Sequence, residues 1–238
     1  MCGGLVAGLV NTLAGGGSLL TVPLLVMIGL PGGLANGTNR VGILIQSGMA
    51  AWRFQSRGVA RLSDALPVLV PVALGSVVGA LLIAQLEDQT FERIFGLVMV
   101  LLLIPILRRP RGGSPDGPNA PRSPVLRGAL FFAIGLYGGA LQAGVGIALL
   151  YALSFLGSDL VRSNAIKVVV VAALTLVALP VFAIEGQIAW LPAGILAVGF
   201  AAGGELGARL AVRGGERVIR PVLALAVVAL AGRMLGLY

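Results

Sequence analysis

Apolar stretches close to the roughly 20 residues that carry a helix across a roughly 30 Å hydrocarbon core recur along this chain. Ala65–Leu86, Phe95–Leu107, Val168–Ile184 and Pro221–Leu237 are the clearest of them. A single such segment would be an anchor; this many make an all-α polytopic membrane protein. Composition agrees, with 58% of residues apolar and 11% charged, where soluble chains carry roughly a quarter charged. The 17 Lys and Arg against 9 Asp and Glu do not describe a nucleic-acid surface, because the arginines lie between apolar segments and aromatics are scarce. Positive-inside topology accounts for the excess.

Cys2 is the only cysteine and there is no histidine. Disulfide frameworks, Cys/His metal clusters and His-based triads are thereby excluded within one chain, and no cofactor is called for. A carboxylate-only metal site would have few ligands to draw on. No basic n-region of a signal peptide precedes the first apolar stretch, which begins at Met1, and the natural chain is expected to start a few residues earlier.

Residues Arg108–Arg127 (RRPRGGSPDGPNAPRSPVLR) are too rich in Pro, Gly, Ser and Arg for a buried helix. This linker separates a first membrane repeat, 1–107, from a second, 128–238. Ala14-Gly15-Gly16-Gly17 matches Ala143-Gly144-Val145-Gly146, and Asn36-Gly37-Thr38-Asn39 matches Asn164-Ala165-Ile166-Lys167 one residue closer. In that second register Gly58 matches Gly186, and Gly75 and Gly79 match Gly203 and Gly207; after a short deletion, Glu92-Arg93 matches Glu216-Arg217. Shared order and spacing along a whole half indicate duplication.

Loop charge reverses between the halves. Arg53, Arg57 and Arg61 face Glu185 in the partner loop, while Glu87, Asp88 and Glu92 face Arg209, Arg213, Arg217 and Arg220. The positive-inside rule therefore inverts one half relative to the other and puts the central linker in the cytoplasm. Counting from Ile94–Leu107, each half holds three full spans. Arg233 near the outer C-terminus runs against this topology, but a long Arg side chain at a helix end can snorkel.

What remains, Met1–Leu30 and Gly128–Gly157, must enter and leave on one side. Each is two apolar pieces around a Gly-rich motif, most of them short of about 30 Å at 1.5 Å per residue. A re-entrant hairpin fits length and parity; two thin full crossings satisfy parity equally.

Irregular backbone at membrane depth must be sheltered in protein or line a wet cavity. The break Gly15-Gly16-Gly17-Ser18 and its partner Gly144 to Gly146 would aim two helix N-termini, the positive dipole ends, into that shelter, which favours an anion. Helix packing through small residues is the competing explanation. Asn36, Thr38, Asn39 and Arg40, with Asn164 and Lys167 at the mirrored place, cluster uncharged donors beside a fixed cation twice; N-capping and snorkelling are the alternative for each alone. Asn11 and Gln142 precede their glycine motifs and serve either an anion or the exposed hairpin backbone. Glu205 is the carboxylate best placed within a span for proton coupling, although Arg209 four residues on makes a local ion pair the stronger expectation.

The passage GLVNTLAGGGSLLTVPLLVMIGLPGGLANGTNRV resembles the first repeat of the sulfite exporter TauE/SafE family, and GGALQAGVGIALL with SNAIKVVV resembles its weaker second repeat. The resemblance spans essentially the whole chain. It assigns Gly15, Gly16, Gly17 and Asn36 to Asn39 to the first motif, and Gly144, Gly146, Asn164 and Lys167 to the second. It implies a multi-pass permease of the bacterial inner membrane that moves small anions such as sulfite, thiosulfate or sulfonates. The expectation is a secondary transporter working by alternating access, its partners being the anion, the bilayer and a coupling proton or sodium ion. An anion channel would use the same donors. A membrane enzyme would need converging acid, base or nucleophile that this chain is poor in, and a scaffold would use the glycines for packing alone.

Overall fold

Hydropathy marks where a helix meets lipid, and in a computed structural model of the chain the helices extend well beyond those marks. The elements are α1 (Cys2–Ala14), α2 (Ser18–Met27), α3 (Gly32–Ser56), α4 (Leu66–Ala84), α5 (Asp88–Leu107), α6 (Pro124–Ala140), α7 (Val145–Phe155), α8 (Leu160–Ile184), α9 (Trp190–Ala211) and α10 (Glu216–Met234). The structure describes all residues except 1, 57, 59–64, 109–122, 157–159, 212–215 and 237–238, with the backbone alone for 160, 211 and 216–222. Arg57, Arg61, Arg213, the side chains of Arg217 and Arg220, and most of the Arg108–Arg127 linker, on which part of the charge argument rests, lie outside the described residues.

Among the described residues, four helices are long and apolar enough to cross a membrane: Leu66–Ala84, Asp88–Leu107, Val161–Ile184 and Trp190–Leu210. α5 begins at Asp88, where an acidic residue in the first turn suits the helix dipole. α8 runs back through Asn164 and Lys167, because their polar groups are buried within the bundle. α4 shows the division of faces: Leu66, Val70, Leu74 and Leu82 are exposed, while Val72, Gly75, Ser76, Gly79 and Ala80 are buried. An apolar outside and a small-residue inside are what lipid as solvent selects.

The small residues set the closest helix contacts. A Cβ at Gly75 would lie 2.1 Å from the Phe132 carbonyl oxygen and one at Gly79 2.0 Å from that of Leu136, so α4 and α6 touch backbone to backbone. A Cβ at Gly203 would lie 2.1 Å from the Leu5 carbonyl oxygen and one at Gly207 2.8 Å from the Thr12 Cβ, which brings α9 close to α1. Gly75 and Gly203, matched in sequence, thus both meet a backbone carbonyl, whereas Gly207 meets a side chain first where Gly79 meets backbone. The turn glycines Gly58 and Gly186, also matched, share a left-handed backbone with φ of 67° and 68°.

Contacts at the helix ends fix the directions. The Ala189 N–H donates to Thr38 Oγ1 at the start of α3, and Arg53 near the other end of α3 pairs with Glu205 of α9, so α3 and α9 run parallel. The Gly33 N–H donates to Asp88, which sets the start of α5 beside the start of α3, and Gln187 Nε2 donates to the Ala84 carbonyl where α4 and α8 end. Glu87, Asp88, Glu92 and Glu185 therefore gather at one end of the bundle, with Arg93 and Arg233. Arg53, Arg108, Arg127, Arg162 and Arg209 gather at the other, with Glu205. The exposed Trp52 and Trp190 sit at opposite ends, as interfacial aromatics do.

Candidate functional site

The Gly-rich motifs form the tips of two hairpins that approach each other from opposite ends. α1 and α2 have 13 and 10 residues, about 20 and 15 Å of helix. α6 and α7 have 17 and 11, about 25 and 16 Å. None reaches roughly 30 Å. α1 lies parallel to α9, with Gly4 against Leu196 and Gly8 against Phe200, so it enters from the acidic end, and α2 returns there to meet α3. α6 lies parallel to α4 and enters from the basic end. α7 returns to that end, where the Tyr151 hydroxyl bonds the Arg108 carbonyl at 2.5 Å. Each hairpin thus pairs two helices shorter than the hydrocarbon core is thick.

The tips meet through glycine. A Cβ at Gly15 would lie 2.6 Å from the Gly146 carbonyl carbon and 2.7 Å from the Ile147 nitrogen; one at Gly146 would lie 2.7 Å from the Gly15 Cα. Gly15 has φ +79° and Gly144 φ +64°, backbone that glycine adopts freely. Gln142 shares this region at φ 56°. Just past the turns α2 begins at Ser18 and α7 at Val145, so two positive helix ends open onto the same interior. At Gly17 a Cβ would strike the Ala7 carbonyl at 2.5 Å, and at Gly16 the Leu223 side chain at 2.8 Å.

Around the tips the singled-out side chains form two networks. Asn11 Oδ1 accepts from the Gly17 N–H at 3.3 Å and its Nδ2 donates to Gln46 Oε1 at 2.5 Å, while Gln46 Nε2 donates to Thr12 Oγ1 at 2.7 Å. Asn11 therefore ties down the hairpin backbone. In the second half Gln142 Nε2 donates to Thr175 Oγ1 at 2.5 Å, the Thr175 hydroxyl being committed to the Val171 carbonyl at 2.6 Å. Thr21 donates to Asn39 Oδ1, joining α2 to α3, and the Tyr137 hydroxyl donates to the Ala143 carbonyl in the second turn.

Both interior cations point at helix ends. Arg40 is fully buried and donates to the carbonyls of Gly138, Gly139 and Ala140 at 3.3, 2.6 and 2.9 Å, with its guanidinium 4.2 Å from the Phe182 ring centre. Lys167 Nζ donates to the carbonyls of Asn11 and Thr12 at 3.2 and 3.0 Å. Asn36 Nδ2 joins Arg40 on the Ala140 carbonyl at 2.8 Å. Asn36 Oδ1, Asn39 Nδ2, Arg40 Nε, Gln142 Oε1 and Asn164 Oδ1 are buried with no hydrogen-bond partner among the described residues, a costly state of roughly 1–3 kcal/mol each.

Thr38 and Glu205 stand apart. Thr38 holds the Ala189 N–H of the α8–α9 loop. Glu205 lies between Arg53 and Arg209 near the basic end, accepting from Arg53 Nε at 3.0 Å and Arg209 Nε at 2.9 Å. An apolar cavity of about 270 Å³ between α3, α4 and α8, lined by Leu44, Phe54, Leu69, Val169 and Leu176, contains none of the candidate residues.

Gln46, Thr21, Thr175 and Tyr137 complete the networks without having been singled out from sequence. Gln46 had a signal: seven residues after Asn39, it lies on the same stripe of α3. Thr175, eight after Lys167, stands likewise as a lone polar residue in an apolar run. Tyr137 had none.

A bundle with an apolar exterior, two broken hairpins meeting tip to tip and polar side chains gathered round them has the architecture of a membrane transporter. The chain matches the family described as Sulfite exporter TauE/SafE over residues 1–234 and belongs to it. It is 30% identical over 224 residues to a "Probable membrane transporter protein" of Haemophilus influenzae, covering 93% of this chain and 88% of the relative. It is 27% identical to the "Probable membrane transporter protein ORF9" of Sinorhizobium sp, over 97% of this chain and 89% of the relative. It is 26% identical to the "Probable membrane transporter protein YfcA" of Escherichia coli K12, over 97% and 86%. No solved structure matches.

Proposed function

We propose that the chain is a secondary transporter of the bacterial inner membrane that moves a small sulfur-containing anion, such as sulfite, thiosulfate or an organosulfonate, by alternating access. The observation that carries this reading is the backbone contact of Gly15 with Gly146, which brings the N-termini of α2 and α7 together in the interior. Arg40 and Lys167 add fixed positive charge nearby, and the described carboxylates lie towards the ends of the bundle. An anion seated between the tips would meet Gly16, Ser18 and Gly146 through backbone N–H groups, while the Gly17 N–H stays with Asn11 Oδ1. Asn39 Nδ2 and Arg40 Nε are donors without a partner among the described residues. Asn11, Asn36, Gln142, Gly144 and Asn164 shape the surround, and Thr38 lies apart on the Ala189 N–H.

In this reading residues 1–107 and 128–238 are inverted repeats, each a re-entrant hairpin followed by three spans, and the Arg-rich end with the 108–127 linker faces the cytoplasm. The tips pack too closely to pass an ion, so transport requires them to part towards one end at a time. Glu205 acts as an ion-pair partner, and no residue is assigned a catalytic role.

The test is stabilisation of the purified full chain by sulfite, thiosulfate, methanesulfonate and acetate at matched ionic strength. A rise in melting temperature with the sulfur oxyanions, lost in Gly17→Leu, is expected. No response to any anion in the wild type, or an unchanged response in Gly17→Leu, would overturn the site.

A further inference from the structure

Each hairpin's first helix ends inside the bundle, and a helix end leaves its last carbonyls without intrahelical partners and with negative dipole charge. In inverted-repeat transporters, such C-terminal half-helix ends and unwound carbonyls are where a coupling sodium ion is held. Here α1 ends at Ala14 and α6 at Ala140, and a side-chain cation bonds the last-turn carbonyls of both. Lys167 of α8 serves Asn11 and Thr12 of α1; Arg40 of α3 serves Gly138, Gly139 and Ala140 of α6. The arrangement is reciprocal, because each half's first long helix caps the hairpin of the other half.

We propose that Arg40 and Lys167 are positioning residues that occupy, as resident cations, the two hairpin-end carbonyl seats where a coupling alkali cation would otherwise bind, and that they tether each tip to the opposite half. The inference rests on the transporter reading above. Two consequences follow from the geometry. The carrier needs no sodium ion at either seat, and a tip that moves carries with it the long helix of the other half. Lys167 is a compact charge that a hydrated sodium ion could replace, whereas Arg40 is spread across three carbonyls and stacked on Phe182. The Lys167 seat is therefore the one to test.

The purified full chain is melted in sodium chloride and in choline chloride of equal concentration as wild type, Lys167→Ala and Lys167→Arg. Wild type and Lys167→Arg are expected to melt alike in both salts. Lys167→Ala is expected to melt about 5–10 °C lower in choline and to regain part of that loss in sodium, which enters the vacated seat. A sodium-dependent shift in the wild type overturns the proposal, as does a Lys167→Ala protein indifferent to the salt. If Lys167→Ala does not fold, the other two proteins decide: equal melting in both salts supports the resident cation, and a wild-type sodium shift or an unfolded Lys167→Arg refutes it. The melting readout needs no transported anion, so failure of the transporter reading would show instead as indifference to every anion.

Discussion

Replacing Gly15 by alanine is expected to be far worse than replacing a glycine that shares its backbone conformation but not its surroundings. The left-handed backbone at φ +79° costs an L-residue about 1–2 kcal/mol. The added Cβ would lie 2.6 Å from the carbonyl carbon and 2.8 Å from the Cα of Gly146. Those are backbone atoms that cannot rotate away, and overpacking of this kind costs about 1–3 kcal/mol. The sum is about 2–5 kcal/mol. Gly186 has φ +68° with nothing within 4 Å of its Cβ position, so Gly186→Ala should cost only the conformational part, about 1–2 kcal/mol. Gly48, on α3 with open space and an ordinary helical backbone, should be neutral or gain up to about 1 kcal/mol as alanine. Thermal unfolding of the three variants in one detergent gives the ranking directly. Gly15→Ala no less stable than Gly186→Ala would refute the contact between tips.

Gly79→Ala and Gly203→Ala should destabilise by similar amounts, about 1–3 kcal/mol each, since their Cβ positions fall 2.0 and 2.1 Å from the carbonyls of Leu136 and Leu5; a large disparity in melting would count against equivalent helix pairs. Glu205→Gln should cost about 1 kcal/mol or less, because the pair with Arg53 is partly exposed at 24% and 19%. It should also leave anion exchange intact; loss of only the pH-driven component would return Glu205 to proton coupling. In a Cys2→Ser background, Ser56→Cys should react with an impermeant thiol reagent from the cytoplasmic side and Glu185→Cys from the outer side, and same-side labelling would remove the inverted orientation.

Much of this architecture was legible because lipid leaves few choices. The glycine breaks had to be sheltered, and most of the pieces beside them fell short of about 30 Å, which left a re-entrant hairpin or two thin crossings open. α1, α2, α6 and α7 are as short as expected. Helix starts were less legible: Asp88 and Leu160 begin α5 and α8 ahead of the apolar runs, because hydropathy reports exposure to lipid and a helix can continue wherever its polar side chains find protein. The partners of Arg40 and Lys167 were not legible at all. A cation in a span announces that it needs oxygen atoms, but which oxygens depends on how one half lies across the other, and that is a property of the packed bundle. Asn11 shows the intermediate case. Its place before the glycine motif allowed both an anion and the hairpin backbone, and the bond from the Gly17 N–H shows the second.

The central claim is carriage of a sulfur oxyanion past two tips that part in turn, and counterflow tests it most directly. The full chain in liposomes loaded with unlabelled sulfite should accumulate labelled sulfite from outside, and the same liposomes loaded with chloride should not. Labelled flux independent of the anion inside would describe a channel, and no flux of sulfite, thiosulfate or methanesulfonate under either loading would contradict the account.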